Sequence, residues 1–188
     1  SGFDELDEFI GGWHRGEELV VLFARTGHGK SFTMIKSLTQ AWKSGMNVGF
    51  LTPEMSATRV AYRVDSAYKG FSNGDLIRGN EIEGYSDYLK NLNSKNGFFV
   101  TEPRDFGNYV TVSKIRQWVI QDNLDIVGID GISYMSDERK RGRDSLSTTL
   151  KNISEDLMNL SRELKVPVII VVQANREATK GSDMPELE

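Results

Sequence analysis

The chain has 188 residues and a mass of 21.1 kDa, enough for one domain with its own core and too little for two ordinary domains. It contains no cysteine, so disulfide scaffolds, thiolate zinc sites and cysteine nucleophiles are excluded. A formal net charge of −4 excludes a uniformly basic nucleic-acid coat protein, and no apolar run reaches the ~18 residues of a membrane span. We therefore expect a cytoplasmic protein with no membrane contact.

Short runs rich in Val, Ile and Phe alternate along the chain with segments of helical periodicity. The apolar runs predict strands at residues 18–24, 47–52, 98–100, 124–130 and 166–173. Apolar residues at helical spacing predict helices at residues 31–43, 58–69, 85–93, 110–121 and 145–165. Strands alternating with helices of this length predict an α/β fold: a mostly parallel, doubly wound sheet with helices on both faces.

A phosphate-binding loop is predicted between the first strand and the first helix. Residues 24–31 read A-R-T-G-H-G-K-S, which matches the pattern G-x-x-x-x-G-K-S/T except that Ala24 replaces the first glycine. Gly27 and Gly29 allow the backbone N–H groups to face phosphate oxygens, and the following helix N-terminus adds partial positive charge. The alternative, a glycine-rich turn that binds nothing, is disfavoured by the strand–loop–helix context.

The loop assigns a role to each of its residue types. Lys30 is expected to reach the β- and γ-phosphates of a nucleotide, and the hydroxyl of Ser31 to bind Mg²⁺. His28 is expected to face solvent, because such a loop binds through its backbone. The predicted nucleotide-binding residues are Ala24, Arg25, Thr26, Gly27, His28, Gly29, Lys30, Ser31 and Phe32.

A second metal ligand is expected at the end of another buried strand. Asp130 ends the apolar run 124–130, and a carboxylate at that position is costly to bury unless a metal or hydrogen bonds engage it. Asp125, at the start of the same run, is the alternative. We favour Asp130, because ligands bind at the carboxyl ends of the strands in open α/β sheets.

Two further polar residues end predicted strands. Glu54 follows the second strand, where its carboxylate could polarise the water that attacks a γ-phosphate. A glutamate in the first turn of a helix, favoured by the helix dipole, explains it equally well at this point. Gln173 ends the last strand and could sense the γ-phosphate, although a single glutamine is a weak signal.

Together these segments resemble the C-terminal motor domain of DnaB-type replicative helicases, within the RecA-like ATPases. The matching pieces are G-F-D-E-L-D at 2–7 with Gly11, Gly12 and Gly16, the phosphate loop, P-E-M-S at 53–56, D-I-V-G-I-D at 125–130 and R-E-L-K-V-P-V-I-I-V-V-Q-A-N-R at 162–176. The likeness spans nearly the whole chain, although residues 71–123 match only loosely. The alanine at position 24 also fits, since these helicases commonly begin the loop with A-R.

The resemblance implies a RecA-like fold and an ATP hydrolase that uses Mg²⁺, with Lys30, Glu54 and Asp130 in catalysis. It implies that Gln173 relays the state of the nucleotide to DNA, and that Arg63 supports the site or a DNA-facing network; an ordinary surface arginine is the alternative for Arg63. The implied partners are single-stranded or forked DNA, further copies of the chain in a hexameric ring, and a primase and a helicase loader.

Two parts of such helicases are not among the 188 residues: an N-terminal collar domain and a late hairpin that supplies an arginine finger to the neighbouring subunit. We therefore expect residues 1–188 to form a single RecA-like motor domain. Because the arginine finger supplies charge in the transition state, we expect this chain to hydrolyse ATP poorly by itself.

A basic run follows the Asp130 strand. Residues 137–143 read D-E-R-K-R-G-R, and in a RecA-like ring this connection faces the central channel. Arg139, Lys140, Arg141 and Arg143 are therefore predicted to bind DNA phosphates, with Arg176 and Lys180 as weaker candidates. The alternative is a solvated turn. No aromatic residue lies in the run, so little sequence preference is expected.

Two other functions stay open from the residues alone. One is a different RecA-like ATPase, either a recombinase or a KaiC-like regulator; a helicase unwinds forked DNA, whereas a recombinase exchanges strands. The other is an assembly or loader module clamped by ATP, for which Glu54 is dispensable.

Overall fold

Five strands form one parallel sheet in the computed structural model, which describes residues 1–14, 16, 18–25, 27–92, 95–139 and 145–173. The strands are β1 (Leu19–Ala24), β2 (Val48–Leu51), β3 (Phe98–Thr101), β4 (Ile126–Ile129) and β5 (Val168–Gln173). Their order across the sheet is β1-β5-β4-β2-β3, and every neighbouring pair is parallel. The predicted parallel α/β sheet is confirmed, and the carboxyl ends of its strands meet along one edge.

The helices of the described residues are α1 (Asp4–Ile10), α2 (Lys30–Lys43), α3 (Ala57–Lys69), α4 (Asn73–Arg78), α5 (Tyr85–Asn91), α6 (Val112–Gln121) and α7 (Leu146–Leu164). None of them is long and apolar enough to cross a lipid bilayer. The helix predicted for 110–121 begins two residues late, because Val110 pairs with Met135 in a parallel bridge and Thr111 caps the helix. Helices α1 and α4 were not predicted.

Helices cover both faces of the sheet, so the predicted double winding is also confirmed. The side chains of β4 show this most simply, because they alternate between two cores. Val127 and Ile129 pack in the core beneath α6 and α7, whereas Ile126 packs in the core beneath α2 and α3.

Helix α2 lies directly against β4 because β4 contains a glycine. A Cβ atom added at Gly128 would lie 2.7 Å from Leu38 Cδ1 and 2.9 Å from Met34 Sδ, both on α2. The missing side chain therefore leaves the space that Leu38 and Met34 of α2 fill against the sheet.

A buried carboxylate joins α5 to α3. Asp65 accepts hydrogen bonds from the hydroxyls of Tyr85 at 2.7 Å and Tyr88 at 2.8 Å. Burial, followed by the neighbouring Asp65 carboxylate, raises the pKa of both phenols, so they stay protonated as donors.

Candidate active site

The predicted phosphate loop connects β1 to α2 at the carboxyl edge of the sheet. Gly27 and Gly29 have φ angles of 82° and 76°, in the left-handed region that favours glycine. A Cβ atom added at either position would meet nothing within 4 Å, so this side of the loop is open. Thr26, predicted to bind nucleotide, lies outside the described residues. Glycines in this conformation, with open space beside them, are compatible with the anion-binding loop that the sequence predicts.

The side chain of Lys30 lies inside this loop and is hydrogen-bonded to its first residues. Its Nζ donates hydrogen bonds to the carbonyl oxygens of Ala24 at 2.8 Å and Arg25 at 2.7 Å. The backbone N–H of His28 donates to Arg25 O at 3.4 Å. The ammonium charge of Lys30 therefore lies within the curve of the loop, beside the helix N-terminus that begins with Lys30 itself.

Asp130 lies next to the loop, although another strand separates β4 from β1. Its backbone N–H donates to Leu51 O at 2.9 Å, which extends the sheet hydrogen bonding past the end of β4. Its Oδ1 accepts a 2.9 Å hydrogen bond from Ser31 Oγ. The side chain is 6% exposed, and Oδ2 is buried with no hydrogen-bond partner among the described residues. One carboxylate oxygen therefore remains available for a ligand.

Burial raises the pKa of Asp130 above its ordinary value of 3.8. The hydrogen bond from Ser31 and the charges of Arg63 and Lys30 oppose this effect, whereas the charge of Glu54 adds to it. The pKa of Asp130 is raised overall, so the neighbouring hydrogen bond and positive charges do not fully offset the cost of burying the ionised carboxylate. A bound cation would relieve it.

The alternative carboxylate, Asp125, lies at the opposite end of the sheet. Its Oδ2 accepts a hydrogen bond from the backbone N–H of Asn47 at 3.0 Å, just before β2 begins. That position is remote from the loop, whereas Asp130 accepts a hydrogen bond from Ser31 at the loop itself.

Glu54 lies on a tight turn after β2. The hydroxyl oxygen of buried Thr52 accepts hydrogen bonds from the backbone N–H groups of Glu54 at 3.4 Å and Met55 at 3.3 Å. This turn directs the chain into α3, which Ser56 caps. The Glu54 carboxylate is exposed at the rim of the site.

The predicted catalytic residues surround one cavity of about 470 Å³ at the carboxyl edge of the sheet. Its wall includes the predicted site residues Gly27, Gly29, Lys30, Ser31, Phe32, Glu54, Arg63, Asp130 and Gln173. Gln173 ends β5, which runs between β1 and β4, and it pairs in register with Ala24. Gln173 thus lies between the start of the loop and the Asp130 strand. Cations and carboxylates from four separate chain segments converge here.

Arg139 is the only predicted DNA-binding residue within the described part of the chain, and it folds back onto α7. Its guanidinium contacts Glu155 Oε2 at 3.3 Å and Asp156 Oδ2 at 3.2 Å, and it donates to Asn152 O at 2.7 Å. A DNA contact through Arg139 would have to replace these partners. Lys140, Arg141, Arg143, Arg176 and Lys180 lie outside the described residues, so their DNA contacts stay predictions.

The sequence reasoning missed two residues of this site. Thr52, which holds the Glu54 turn, has the signal of a threonine two residues before a turn glutamate. Asn73 lies in the cavity wall at the start of α4, and its Oδ1 is buried without a hydrogen-bond partner among the described residues. Its segment lies where the resemblance is loosest, so no sequence signal pointed to it.

Comparisons with known proteins agree with this geometry. The sequence is 28% identical over 192 residues to the replicative DNA helicase DnaB of Helicobacter pylori, covering 97% of this chain and 38% of that protein. It is 26% identical over 187 residues to the replicative DNA helicase DnaC of Bacillus subtilis, covering 97% of this chain and 41% of that protein. The chain thus spans about two fifths of the length of these relatives.

A solved DnaB-like replicative helicase, described together with its interactions with primase, has the same fold. It superposes with a TM-score of 0.79 at 22% sequence identity, covering 97% of this chain and 45% of that one. The family of DnaB-like helicase C-terminal domains matches residues 1–187. With its phosphate loop, Asp130 and Glu54 around one cavity, the chain belongs to that family.

Proposed function

We propose that this chain is the ATP-driven motor domain of a replicative DNA helicase, which translocates on single-stranded DNA and unwinds the duplex ahead of it. The observation that carries the proposal is the convergence of Lys30, Ser31, Glu54, Asp130 and Gln173 on one cavity at the strand carboxyl ends. The family membership supports the same function. Such a motor works in the cytoplasm of a bacterial cell or a phage-infected host.

Phosphate binding rests on the loop. The backbone N–H groups around Gly27 and Gly29 would hold the phosphates of ATP from the open side of the loop. Lys30 would exchange its bonds to the loop carbonyls for the β- and γ-phosphate oxygens, which are stronger, charged acceptors.

The residues present fit Mg²⁺. Ser31 Oγ and the unpartnered Asp130 Oδ2 are hard oxygen donors at the loop. Among the described residues no group of three or more His, Cys, Asp or Glu side chains could hold a metal, and Mg²⁺ typically uses one or two protein ligands beside substrate phosphates. When bound, it would neutralise charge that develops on the phosphates.

Hydrolysis would use Glu54. Its exposed carboxylate would accept a proton from the attacking water, while Lys30 and Arg63 would balance negative charge around the phosphates. Gln173 would transmit the presence of the γ-phosphate into the following residues, which include Arg176 and Lys180. The sheet edge would thereby couple the chemical step to DNA contact.

DNA would bind through the basic run at 140–143 and through Arg176 and Lys180, as expected for a strand that is tracked by its phosphates. A net charge of −4 is compatible with such a local patch. By the family resemblance, we propose a hexameric ring with primase and helicase loader as partners.

The test is a forked-duplex unwinding assay on the full-length protein that carries this domain, with 5′ or 3′ single-stranded tails. We expect ATP-dependent unwinding, and its loss in Glu54→Gln with ATP binding retained. Glu83→Gln, an exposed glutamate between α4 and α5, is the matched control and should behave like the unmodified protein. Unwinding by Glu54→Gln at the normal rate would refute the role of Glu54. The absence of unwinding by the unmodified protein would refute the proposed function.

A further inference from the structure

Asn73 is a polar residue of the active-site cavity for which the known parts of the site leave no role. It is the first residue of α4, and its side chain lines the cavity together with Glu54, Arg63 and Asp130. Its Oδ1 atom is buried and accepts no hydrogen bond from the described residues. Buried acceptors are nearly always satisfied, so an orphaned one in a ligand cavity indicates a missing donor.

Helix capping does not explain Asn73. The cap of α4 is Ser72, whose Oγ accepts from the backbone N–H of Asp75 at 3.3 Å. Asn80, at the other end of the same helix, donates to Asp75 Oδ1 at 2.8 Å, so the nearby asparagine has an ordinary structural role. Asn73 instead belongs to the cavity wall, and its Oδ1 has no partner among the described residues.

No described residue donates to Asn73 Oδ1, and a donor that enters the cavity with the substrate would satisfy it. The phosphate oxygens of ATP are acceptors and do not satisfy Oδ1. The donors of ATP, its adenine amine and ribose hydroxyls, lie at the other end of the nucleotide from the phosphates, whereas Asn73 shares the cavity wall with Lys30, Glu54 and Asp130. Arg63 lines the same cavity and is still not its partner. Water is the remaining donor that the reaction brings to this wall, where α3 and α4 pack together just after Glu54.

We propose that Asn73 Oδ1 and the Glu54 carboxylate accept the two hydrogens of the attacking water. This rests on the proposed function. With both hydrogens held, one lone pair of the water oxygen points to the γ-phosphorus. The P–O bond to the water forms as the bond to the β-phosphate bridging oxygen breaks, Glu54 takes the proton, and ADP leaves. Asn73 gains and loses no proton; it orients the nucleophile.

The test is single-turnover hydrolysis of radiolabelled ATP by an excess of the full-length protein with single-stranded DNA. We expect Asn73→Ala to lower the rate constant by about 10-fold or more, the scale of a lost positioning contact. Its dissociation constants for ADP and a non-hydrolysable ATP analogue should change less than about 2-fold. Asn73→Asp keeps an acceptor and should retain more activity than Asn73→Ala. Asn91→Ala, at an exposed asparagine of α5, is the matched control and should match the unmodified protein.

A double-variant comparison separates positioning from instability. In the Glu54→Gln background, Asn73→Ala should reduce the rate by less than about 2-fold further, because the two residues hold the same water. A fully additive loss, an unchanged rate, or a loss confined to nucleotide affinity would overturn the proposal. Thermal unfolding of each variant shows whether it is folded. If Asn73→Ala is destabilised, Asn73→Ser takes its place in both backgrounds. If the unmodified protein hydrolyses no ATP, both this inference and the proposed function fail; if only the Asn73 variants behave normally, this inference alone fails.

Discussion

The hydroxyl of Ser31 donates a 2.9 Å hydrogen bond to Asp130 across 99 residues of sequence. This contact joins the first turn of α2 to the tip of β4, although β5 lies between β4 and the strand that leads into α2. It satisfies one oxygen of Asp130 and leaves the other buried without a partner among the described residues. The two proposed magnesium ligands are therefore already in contact with each other.

Ser31→Ala should separate metal-assisted binding from phosphate binding. The variant loses the hydroxyl but keeps Lys30 and the loop amides, so ADP affinity in EDTA should change by about 2-fold or less. The gain in affinity on adding Mg²⁺ should fall by about 10-fold, or ~1.4 kcal/mol. Titration with a fluorescent ADP, with and without Mg²⁺, measures both quantities. Ser44→Ala, at the exposed end of the same helix, is the control; an unchanged Mg²⁺ effect in Ser31→Ala would exclude Ser31 as a ligand.

Asp130→Asn should stabilise the chain while abolishing Mg²⁺-dependent hydrolysis. The folded-state pKa of Asp130 is raised above the ordinary 3.8, so ionisation of this side chain disfavours the folded state. That penalty is absent below the unfolded value, grows as pH rises through the folded value, and is complete at neutral pH. Without nucleotide at pH 7, we therefore expect the unfolding midpoint to rise, and in a domain of this size each 1 kcal/mol of added stability corresponds to about 2–4 °C.

The pH dependence supplies the check on this prediction. Thermal unfolding at a series of pH values should show the gain from Asp130→Asn shrinking as pH falls toward 4. Asp4→Asn, on the exposed face of α1, should leave the midpoint nearly unchanged throughout. A destabilised Asp130→Asn variant at pH 7 would show that ionised Asp130 is well compensated, contrary to its raised pKa.

Tyr88→Phe should destabilise the junction between α3 and α5. The change removes a donor from the buried Asp65 carboxylate, and losing one such bond typically costs about 1–3 kcal/mol. Tyr85→Phe with Tyr88→Phe removes both donors and should cost more than either change alone. Urea unfolding measures these free energies. Tyr109→Phe, at a tyrosine that is 51% exposed, is the control. An equal, small effect at all three tyrosines would contradict a special role for Asp65.

Arg139 should contribute less to DNA binding than the basic residues that follow it. Its guanidinium is engaged by Glu155 and Asp156, so DNA has to compete for it. Replacing Lys140, Arg141 and Arg143 together by alanine should reduce the salt dependence of single-strand binding by about 2 in log–log slope, at ~0.7 per phosphate contact. Arg139→Ala should change the slope much less. Fluorescence anisotropy over a range of salt concentrations tests this; a larger slope change for Arg139→Ala would reverse the ranking.

Much of the sheet was predictable because buried parallel strands are continuous apolar runs. The runs at 124–130 and 166–173 correspond to β4 and β5 within two residues at each end. The phosphate loop was predictable because its glycines, lysine and serine each meet a separate chemical requirement. The convergence on one cavity followed from a rule of parallel sheets: polar residues that end strands lie at one edge.

The remaining features depended on contacts that local patterns do not encode. Helix α1 has only seven residues, most of them acidic, and α4 has six residues with Gly74 inside, so both are too short to show a sustained helical repeat. Arg139 reads as part of a basic run, yet its partners lie on α7, 13 and more residues away. Nothing in the sequence distinguishes Asn73 from a surface asparagine. Only the folded structure shows that it lines the cavity with its Oδ1 buried and without a partner among the described residues.

Substitutions at the buried glycine of β4, Gly128, are expected to affect the active site from the protein interior. Gly128 leaves no room for a side chain beneath Leu38 and Met34 of α2, and α2 also carries Lys30 and Ser31, whereas Asp130 stays with β4. A larger residue at position 128 would displace the side chains of Leu38 and Met34, which are fully buried and have little room to repack, and would thereby strain the packing of α2 against β4 that holds the two halves of the site together. In a genetic screen, alleles at Gly128 would therefore fall in the same phenotypic class as alleles of the phosphate loop, although this residue touches no nucleotide.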